Sequence, residues 1–183
     1  SPRPDYRACG LSAPIRHAKC ASHMKLLGSS NGRTFYHLDG RASTDWEKEL
    51  PMTNWLALPI LDEPDQAVAA QIARACLNKD VAYMCALGKA HEVVHLSFDL
   101  AIVDDRISAG LSVASQDDFE HSPMTTGHDD FDEGVWFALQ VAYDDYKEIR
   151  SVVCIDMTHE GQAERLTSLV TAINDGWLPP DKD

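Results

Sequence analysis

The segment MTTGHDDFDEGVWFAL, residues 124–139, holds the densest group of side chains that could do chemistry. His128, Asp129, Asp130 and Asp132 offer an imidazole nitrogen and carboxylate oxygens, which are ligands of zinc and of harder divalent cations. A histidine beside a carboxylate could also act as a general acid or base near neutral pH. The spacing matches neither an EF-hand loop nor HExxH, so it indicates no particular metal.

A plainer interpretation places these acids at the start of a helix. From Asp130 onward apolar residues recur at helical spacing, and carboxylates in a first turn interact favourably with the helix dipole. Thr126 would be the N-cap, with Asp129 completing a capping box. A partly exposed Trp136 would anchor a protein partner. We favour the helix start over the metal, acid–base and protein-binding alternatives. If the segment binds a partner, the predicted binding residues are Thr125, Thr126, His128, Asp129, Asp130 and Trp136.

The stretch HEVVH, residues 91–95, matches the letters of a zinc-protease motif. In that motif His91 and His95 would bind zinc and Glu92 would act as the base. The segment closely follows Gly88 and continues as LSFDLAIV, whereas such proteases need a long helix and further chain for a third ligand. We therefore expect two surface or capping histidines and predict no cofactor. The metal candidates are His91, His95, His128 and Asp132.

The elements that would position these residues alternate between strands and helices. Near-continuous apolar runs at 55–61, 81–87 and 151–156 predict buried strands. Amphipathic helices are predicted after 61, with Asp62 near the cap, and after Thr158, which would cap the last one. We predict an α/β fold with three layers, in which helices cover both faces of a mainly parallel central sheet.

Two stretches between these elements are harder to assign. Residues 91–107 predict a short helix over His91–Leu96 followed by a strand or extended segment over Phe98–Val103, and residues 104–123 predict a long polar loop. The predicted strand ends at Asp62, Gly88 and Asp156 would share the carboxyl edge of the sheet, where open α/β folds usually bind ligands.

The chain divides into three predicted parts. Residues 1–24 mix Pro, Ser, Ala and basic residues without a period, which predicts a disordered or tag-like extension. Residues 25–53 predict an irregular lead-in, with Thr34–Leu38 as a short edge strand or hairpin arm. Residues 54–178 predict the α/β domain itself.

Composition limits the partners and the compartment. The formal charge is −13, with 29 acidic and 16 basic side chains, so nucleic acid and anionic membranes are not expected partners. No apolar run approaches the roughly 20 residues that span a bilayer, and no secretory signal is recognisable, which favours the cytoplasm. The five cysteines are an odd number and widely spaced. Cys76, Cys85 and Cys154 are expected to be small buried apolar residues.

The strand YMCALG, residues 83–88, and the segment MTTGHDDFDEGVWFAL together resemble a small uncharacterised bacterial α/β domain family. Its members carry a YMMAWG-like strand and an MTTWHDDE…WFA helix start, and the resemblance spans roughly residues 55–156. Gly127 and Leu87 stand where that family usually has tryptophans. The resemblance implies no activity. It implies the fold and the importance of Thr125, Thr126, His128 and Asp129.

Together these observations predict a small acidic binding protein, immunity-like or regulator-like, that engages a basic protein partner. A small metal-dependent hydrolase that uses His91, Glu92 and His95, or the 128–132 cluster, is the alternative. A homodimer joined at a sheet edge is a third hypothesis.

Overall fold

The computed structural model describes residues 23–115 and 119–180. Within these ranges the chain forms six strands and four α-helices. The strands are β1 (Met24–Ser30), β2 (Arg33–Asp39), β3 (Trp55–Ile60), β4 (Tyr83–Leu87), β5 (Met124–His128) and β6 (Ser151–Asp156). The helices are α1 (Gln66–Leu77), α2 (His91–Ser108), α3 (Phe131–Gln140) and α4 (Ala163–Asn174).

All six strands belong to one sheet, in the order β1-β2-β6-β3-β4-β5. Among the described strands only the β1–β2 pair is antiparallel, and the other four pairs are parallel. The α/β class and the mainly parallel sheet predicted from the sequence are therefore confirmed. Every helix in the described ranges is too short or too polar to cross a lipid bilayer.

The segment predicted as an irregular lead-in, residues 25–53, supplies most of a hairpin. Asn31 and Gly32 have φ angles of 49° and 76°, which suit the two-residue turn that joins β1 to β2. Thr34–Leu38 is therefore a hairpin arm, which is one of the two predicted alternatives. It is not an edge strand, because β2 also pairs in parallel with β6 from Thr34 to Asp39. Phe35 and Leu38 on this strand are fully buried.

The predicted extension, residues 1–24, lies outside the described residues except for its last two. Met24 begins β1, and the backbone amides of His23 and Met24 donate to the carboxylate of Glu49.

Three of the five cysteines lie among the described residues. Cys76, Cys85 and Cys154 are buried free thiols, whereas Cys9 and Cys20 lie outside the described residues.

Strands β3, β4 and β6 are the three runs that the sequence predicts as buried. Every residue of β3 and β4 is buried, as expected for strands that are covered on both faces. Along β3, Trp55 and Ala57 belong to one hydrophobic cluster, with residues of α1 and α2. Leu56 and Leu58 belong to a second cluster, with residues of α3 and α4. Alternate side chains of one strand thus enter different cores.

Helix α2 corrects the prediction of a short helix and a strand over residues 91–103. The structure has one continuous helix from His91 to Ser108. Val94, Phe98, Ala101 and Ile102 are buried, and their spacing of four, seven and eight residues is that of one helical face. The apolar run after Ser97 was misassigned because a short run fits a strand and a buried helical stripe equally well.

Two helix caps also differ from their predicted positions. The side chain of Asp65, three residues after Asp62, caps α1 by accepting from the amides of Ala67 and Val68. Helix α4 begins after Gln162, so Thr158 does not cap it. Thr158 instead donates to Asp156 at the end of β6.

Candidate functional site

The predicted binding segment begins with an edge strand. Strand β5 pairs with β4 from Tyr83↔Met124 to Leu87↔His128, and no described strand lies on its other side. An edge strand presents backbone N–H and C=O groups that another chain could pair with. Thr125, Thr126 and His128 therefore lie on a strand edge, whereas Asp129 and Asp130 follow the strand and Trp136 lies on α3.

Side chains of β5 alternate between α2 and α3, so the predicted residues do not form one cluster. Thr125 contacts α2 through His95 and Asp99. Thr126 and His128 lie on the other face, where the ring of His128 is 4.8 Å from that of Phe137 on α3. This period of two is the ordinary geometry of a strand.

Thr125, His95 and Asp99 form a hydrogen-bonded group on the α2 face. The Thr125 hydroxyl donates to Asp99 Oδ1 at 2.7 Å, and His95 Nε2 lies 3.0 Å from the same hydroxyl oxygen. A hydroxyl has one proton to donate, so His95 Nε2 must carry the proton of the second bond. The threonine links the histidine to the carboxylate. In a nucleophilic triad the histidine takes the middle place, so this group does not have the arrangement of a triad.

On the α3 face, Thr126 lies against the thiol of Cys85, with its hydroxyl 3.4 Å from Sγ. Burial raises the pKa of Cys85 to about 12, and the hydrogen bond from Thr126 opposes this only in part. The sulfur is therefore a neutral thiol at physiological pH, whereas a nucleophilic cysteine needs the thiolate. The hydrogen bond from Thr126 to Cys85 therefore joins β5 to β4 and does not activate a nucleophile.

The acids after β5 are held by backbone amides and an arginine. Asp130 caps α3 by accepting from the amide of Glu133 at 2.9 Å, and Asp129 accepts from the amide of Asp130 at 2.9 Å. Asp132, in the first turn, contacts Arg165 at 2.7 Å. Helix α3 thus begins with acids, as predicted. The Thr126 cap and its capping box are wrong, because Thr126 pairs with β4.

The residues considered for metal binding have other contacts in the structure. His91 begins α2, and its Nδ1 donates to the carbonyl of Gly88 at 2.8 Å while its ring lies over Gly127. His95 binds Thr125, and Glu92 is exposed. In the part of the chain that the structure describes, no three His, Cys, Asp or Glu side chains are placed to hold a metal ion.

Two hollows flank β5, one on each face. The α2-side groove, of about 470 Å³, is lined by Asp99, Ile102, Phe119, Glu120, Pro123 and Thr125. The α3-side pocket, of about 170 Å³, is lined by Tyr83, Met124, Phe137, Tyr143, Asp144 and Asp145. Met124 contributes to both and is 54% exposed. Both hollows are acidic and partly apolar, and they adjoin the first residues of the open edge strand, Met124 and Thr125.

Trp136, the predicted anchor, lies on α3 and is half-buried. It packs against the second hydrophobic cluster. The sequence reasoning did not identify the residues that complete the hollows, among them Phe119 and Tyr143. The turn-forming acids Asp144 and Asp145 beside Tyr143 were the available signal for the α3-side pocket.

A third hollow, of about 640 Å³, opens at the carboxyl ends of β3 and β6. After β3 the chain continues through α1 to β4, on one side of the sheet order. After β6 it continues into α4, which contacts β1 at the other side. The connections that follow these two neighbouring strands therefore run in opposite directions along the sheet. His159 Nδ1 lies 2.6 Å from Asp62 Oδ2 on its rim. Hydrogen bonds from the His159 side chain and backbone lower the pKa of Asp62. The predicted carboxyl edge is therefore a concave surface.

A family model described as "Domain of unknown function (DUF7684)" matches residues 33–173. The chain belongs to this family. The DUF7684 match begins at β2 and ends within α4, so it includes β5 and the residues of all three hollows. It confirms the predicted membership in an uncharacterised domain family. None of the curated proteins compared with the chain matches it.

Proposed function

We propose that the protein is a binding module whose β5 edge takes up an extended, basic segment of a partner protein. The observation that supports this most directly is an open edge strand between two acidic hollows. Pairing of a peptide with a sheet edge gives affinity through main-chain hydrogen bonds, and pockets for alternate side chains give specificity.

The geometry of the hollows favours an extended segment over a helix. Successive side chains of an added strand would point alternately to the two faces of the sheet, about 3.3 Å apart along the strand. The α2-side groove and the α3-side pocket lie on those two faces and meet at Met124. Exposed Met124 would be covered when the strand docks, which adds apolar burial to the backbone pairing.

Charge favours a basic partner. Asp99 and Glu120 line the α2-side groove, Asp144 and Asp145 line the α3-side pocket, and none of the described lining residues is basic. The whole chain carries −13, so its field attracts cationic segments from a distance. Such complementarity raises the association rate and disfavours acidic competitors.

The same charges disfavour a second copy at this edge. If two copies paired through β5, the acidic linings of both would face each other, with a charge of −13 on each chain. We therefore propose a basic partner in preference to the homodimer. The metal-dependent hydrolase has no comparable support, because no three potential metal ligands lie together among the described residues.

In this proposal the edge strand includes Thr125, Thr126 and His128. The acids at its end are Asp129 and Asp130. Trp136 lies on α3, the helix that packs beside the strand. The two hydrophobic clusters support a three-layer arrangement with helices on both faces of the sheet. We further propose an immunity-like or regulatory role in the cytoplasm, in keeping with an acidic protein that captures a basic one.

The test uses a capped seven-residue peptide that alternates arginine and valine. Calorimetry should show binding that weakens as salt rises from about 0.05 to 0.5 M, because salt screens the attraction. Binding should protect the β5 amides from hydrogen exchange. A peptide methylated on alternate backbone nitrogens should bind at least about tenfold more weakly, since it loses strand hydrogen bonds worth roughly 1 kcal/mol each.

Matched variants test the charge. Asp99→Asn with Glu120→Gln removes two acids from the α2-side groove and should lower the association rate at low salt. Glu164→Gln with Asp175→Asn makes the same charge change on and just after α4, which contacts β1 at the far edge, and should have little effect. Equal binding of the methylated peptide, or unchanged exchange in β5, would refute strand addition.

A further inference from the structure

The α3-side pocket has the composition of a cation-binding cage. Tyr83 and Phe137 form one part of its wall, with ring centroids 6.1 Å apart and planes tilted by 55°. Tyr83 is only 4% exposed, so its ring is fixed in the core. Tyr143 is 69% exposed and stands at the rim, where its ring is accessible to a ligand. Aromatic ring faces attract cations.

Two carboxylates add to this attraction. Asp144 and Asp145 line the pocket directly after Tyr143. Oδ1 of Asp144 accepts from the amides of Tyr146 and Lys147 at 2.8 and 2.7 Å, which fixes this turn against the pocket. The ammonium of Lys147 contacts Asp80 at 2.6 Å, so this neighbouring cation is already paired with an acid outside the pocket lining.

We propose that the α3-side pocket binds the guanidinium group of an arginine side chain. This inference rests on the proposed strand addition for the source of the arginine, and it assigns the arginine to the face of the docked strand that points toward α3. A guanidinium is planar, stacks on aromatic rings and pairs with carboxylates, so it matches both kinds of wall. The α2-side groove, with Ile102, Phe119 and Pro123, takes the apolar residues on the other face.

The pocket can be tested without strand addition. The first probe is arginine capped as its N-acetyl methylamide, which is too short to pair along β5. The comparison is the same molecule made with citrulline, which is neutral and nearly isosteric. In NMR titrations the arginine probe should shift the ring signals of Tyr143 and the amides of 144 and 145. The citrulline probe should bind at least about tenfold more weakly.

Variants of Tyr143 separate the ring from general attraction. Tyr143→Leu keeps the protein's charge and should weaken arginine binding by roughly 2- to 30-fold, the range expected from loss of a cation–π contact. Tyr143→Phe keeps the ring and should bind as the native chain does. Because the side chain is exposed, neither substitution should affect folding. Equal binding by the leucine and phenylalanine variants would overturn the proposal.

A second measurement distinguishes this inference from the proposed function. The arginine–valine peptide is compared with a citrulline–valine peptide by hydrogen exchange in β5. If both peptides protect β5 equally, strand addition stands and the arginine pocket is wrong. If capped arginine binds at Tyr143 while neither peptide protects β5, the pocket stands and strand addition fails.

Discussion

Replacing Asp156 with asparagine should destabilise the fold strongly, and more than the same replacement at Asp62. Asp156 ends β6 and is 2% exposed. Its Oδ1 accepts from the amide and the hydroxyl of Thr158, at 2.9 and 2.6 Å. Its Oδ2 accepts from His37 Nε2 at 2.8 Å and from the amide of Gln162 at 2.6 Å. One carboxylate thus joins β2, β6 and the entry to α4.

The cost follows from counting donors. In Asp156→Asn one oxygen becomes an NH₂ group, which cannot accept. Whichever oxygen is replaced, one backbone N–H, that of Thr158 or of Gln162, then faces another donor in a buried site. An unsatisfied buried donor costs about 1–3 kcal/mol, and loss of the carboxylate's charge also weakens its remaining bonds. We expect the free energy of unfolding at pH 7 to fall by about 3–5 kcal/mol, as when a buried pair is broken.

The same carboxylate predicts the dependence on pH. Burial alone would raise the pKa of Asp156, but the hydrogen bonds from His37, Thr158 and Gln162 outweigh it and hold the pKa below its ordinary value of 3.8. A lowered folded pKa means that the carboxylate's contribution is complete above the ordinary value and is lost as the pH falls through the folded one. The stability difference between native chain and variant should therefore shrink below about pH 4.

Urea unfolding at pH 7 and at pH 3.5 measures both effects. Asp62→Asn is the matched control, because Asp62 also accepts from a histidine ring and a backbone amide, those of His159, but at an exposed site. Water can replace those bonds, so this variant should lose no more than about 1 kcal/mol. A loss below about 1 kcal/mol for Asp156→Asn at pH 7, or a loss that does not change with pH, would refute the reasoning.

Three further substitutions test how α3 is placed. A Cβ at Gly134 would lie 2.1 Å from Cδ2 of fully buried Leu87, so Gly134→Ala should lower the free energy of unfolding by about 1–3 kcal/mol in urea, despite the better helix propensity of alanine. A Cβ at Gly127 would lie 2.8 Å from Cδ2 of the half-buried His91 ring, which must shift, so Gly127→Ala should cost less than Gly134→Ala, about 1 kcal/mol or less. Arg33→Met removes the guanidinium that donates to the carbonyls of Ala138, in α3, and Ala142, just after it, and should cost about 1–3 kcal/mol by the same assay. Equal effects of the two alanines, or an unchanged midpoint for Arg33→Met, would contradict this placement.

The central strands could be predicted because a fully buried strand is a run of consecutive apolar residues, which is visible in the sequence. β3 and β6 are continuous apolar runs with polar residues at their ends, and few other structures bury every consecutive side chain. β5 gave no such signal. It is a half-buried edge strand of five residues that contains Gly127, and the acids after it indicate a helix start more strongly than its own residues indicate a strand. Pairing with β4, 41 residues away along the chain, decides its structure.

The hollows could not be predicted for a related reason. Tyr83 lies on a central strand, Met124 on the edge strand, and Tyr143 after α3, and only the folded sheet brings them together. Likewise, no local pattern links His37 to Asp156, which are 119 residues apart. Composition indicated the acidic character of the surface, but the arrangement of acids around one strand edge depends on the topology of the sheet.

An open sheet edge tends to pair with other chains, including copies of itself, and charge is one means of preventing this. The acids beside β5 would therefore have two effects with a common cause: they repel a second copy and attract a basic segment. Rising salt should weaken binding of the arginine–valine peptide and strengthen self-association, because screening reduces attraction and repulsion alike. At low salt, the double variant Asp99→Asn with Glu120→Gln should likewise bind the peptide more weakly and self-associate more strongly than the native chain. Light scattering and calorimetry on the same samples measure the two effects. If peptide affinity and self-association rose or fell together with salt, the edge charges would not control β5, and the proposed docking of a basic strand would lose its electrostatic basis.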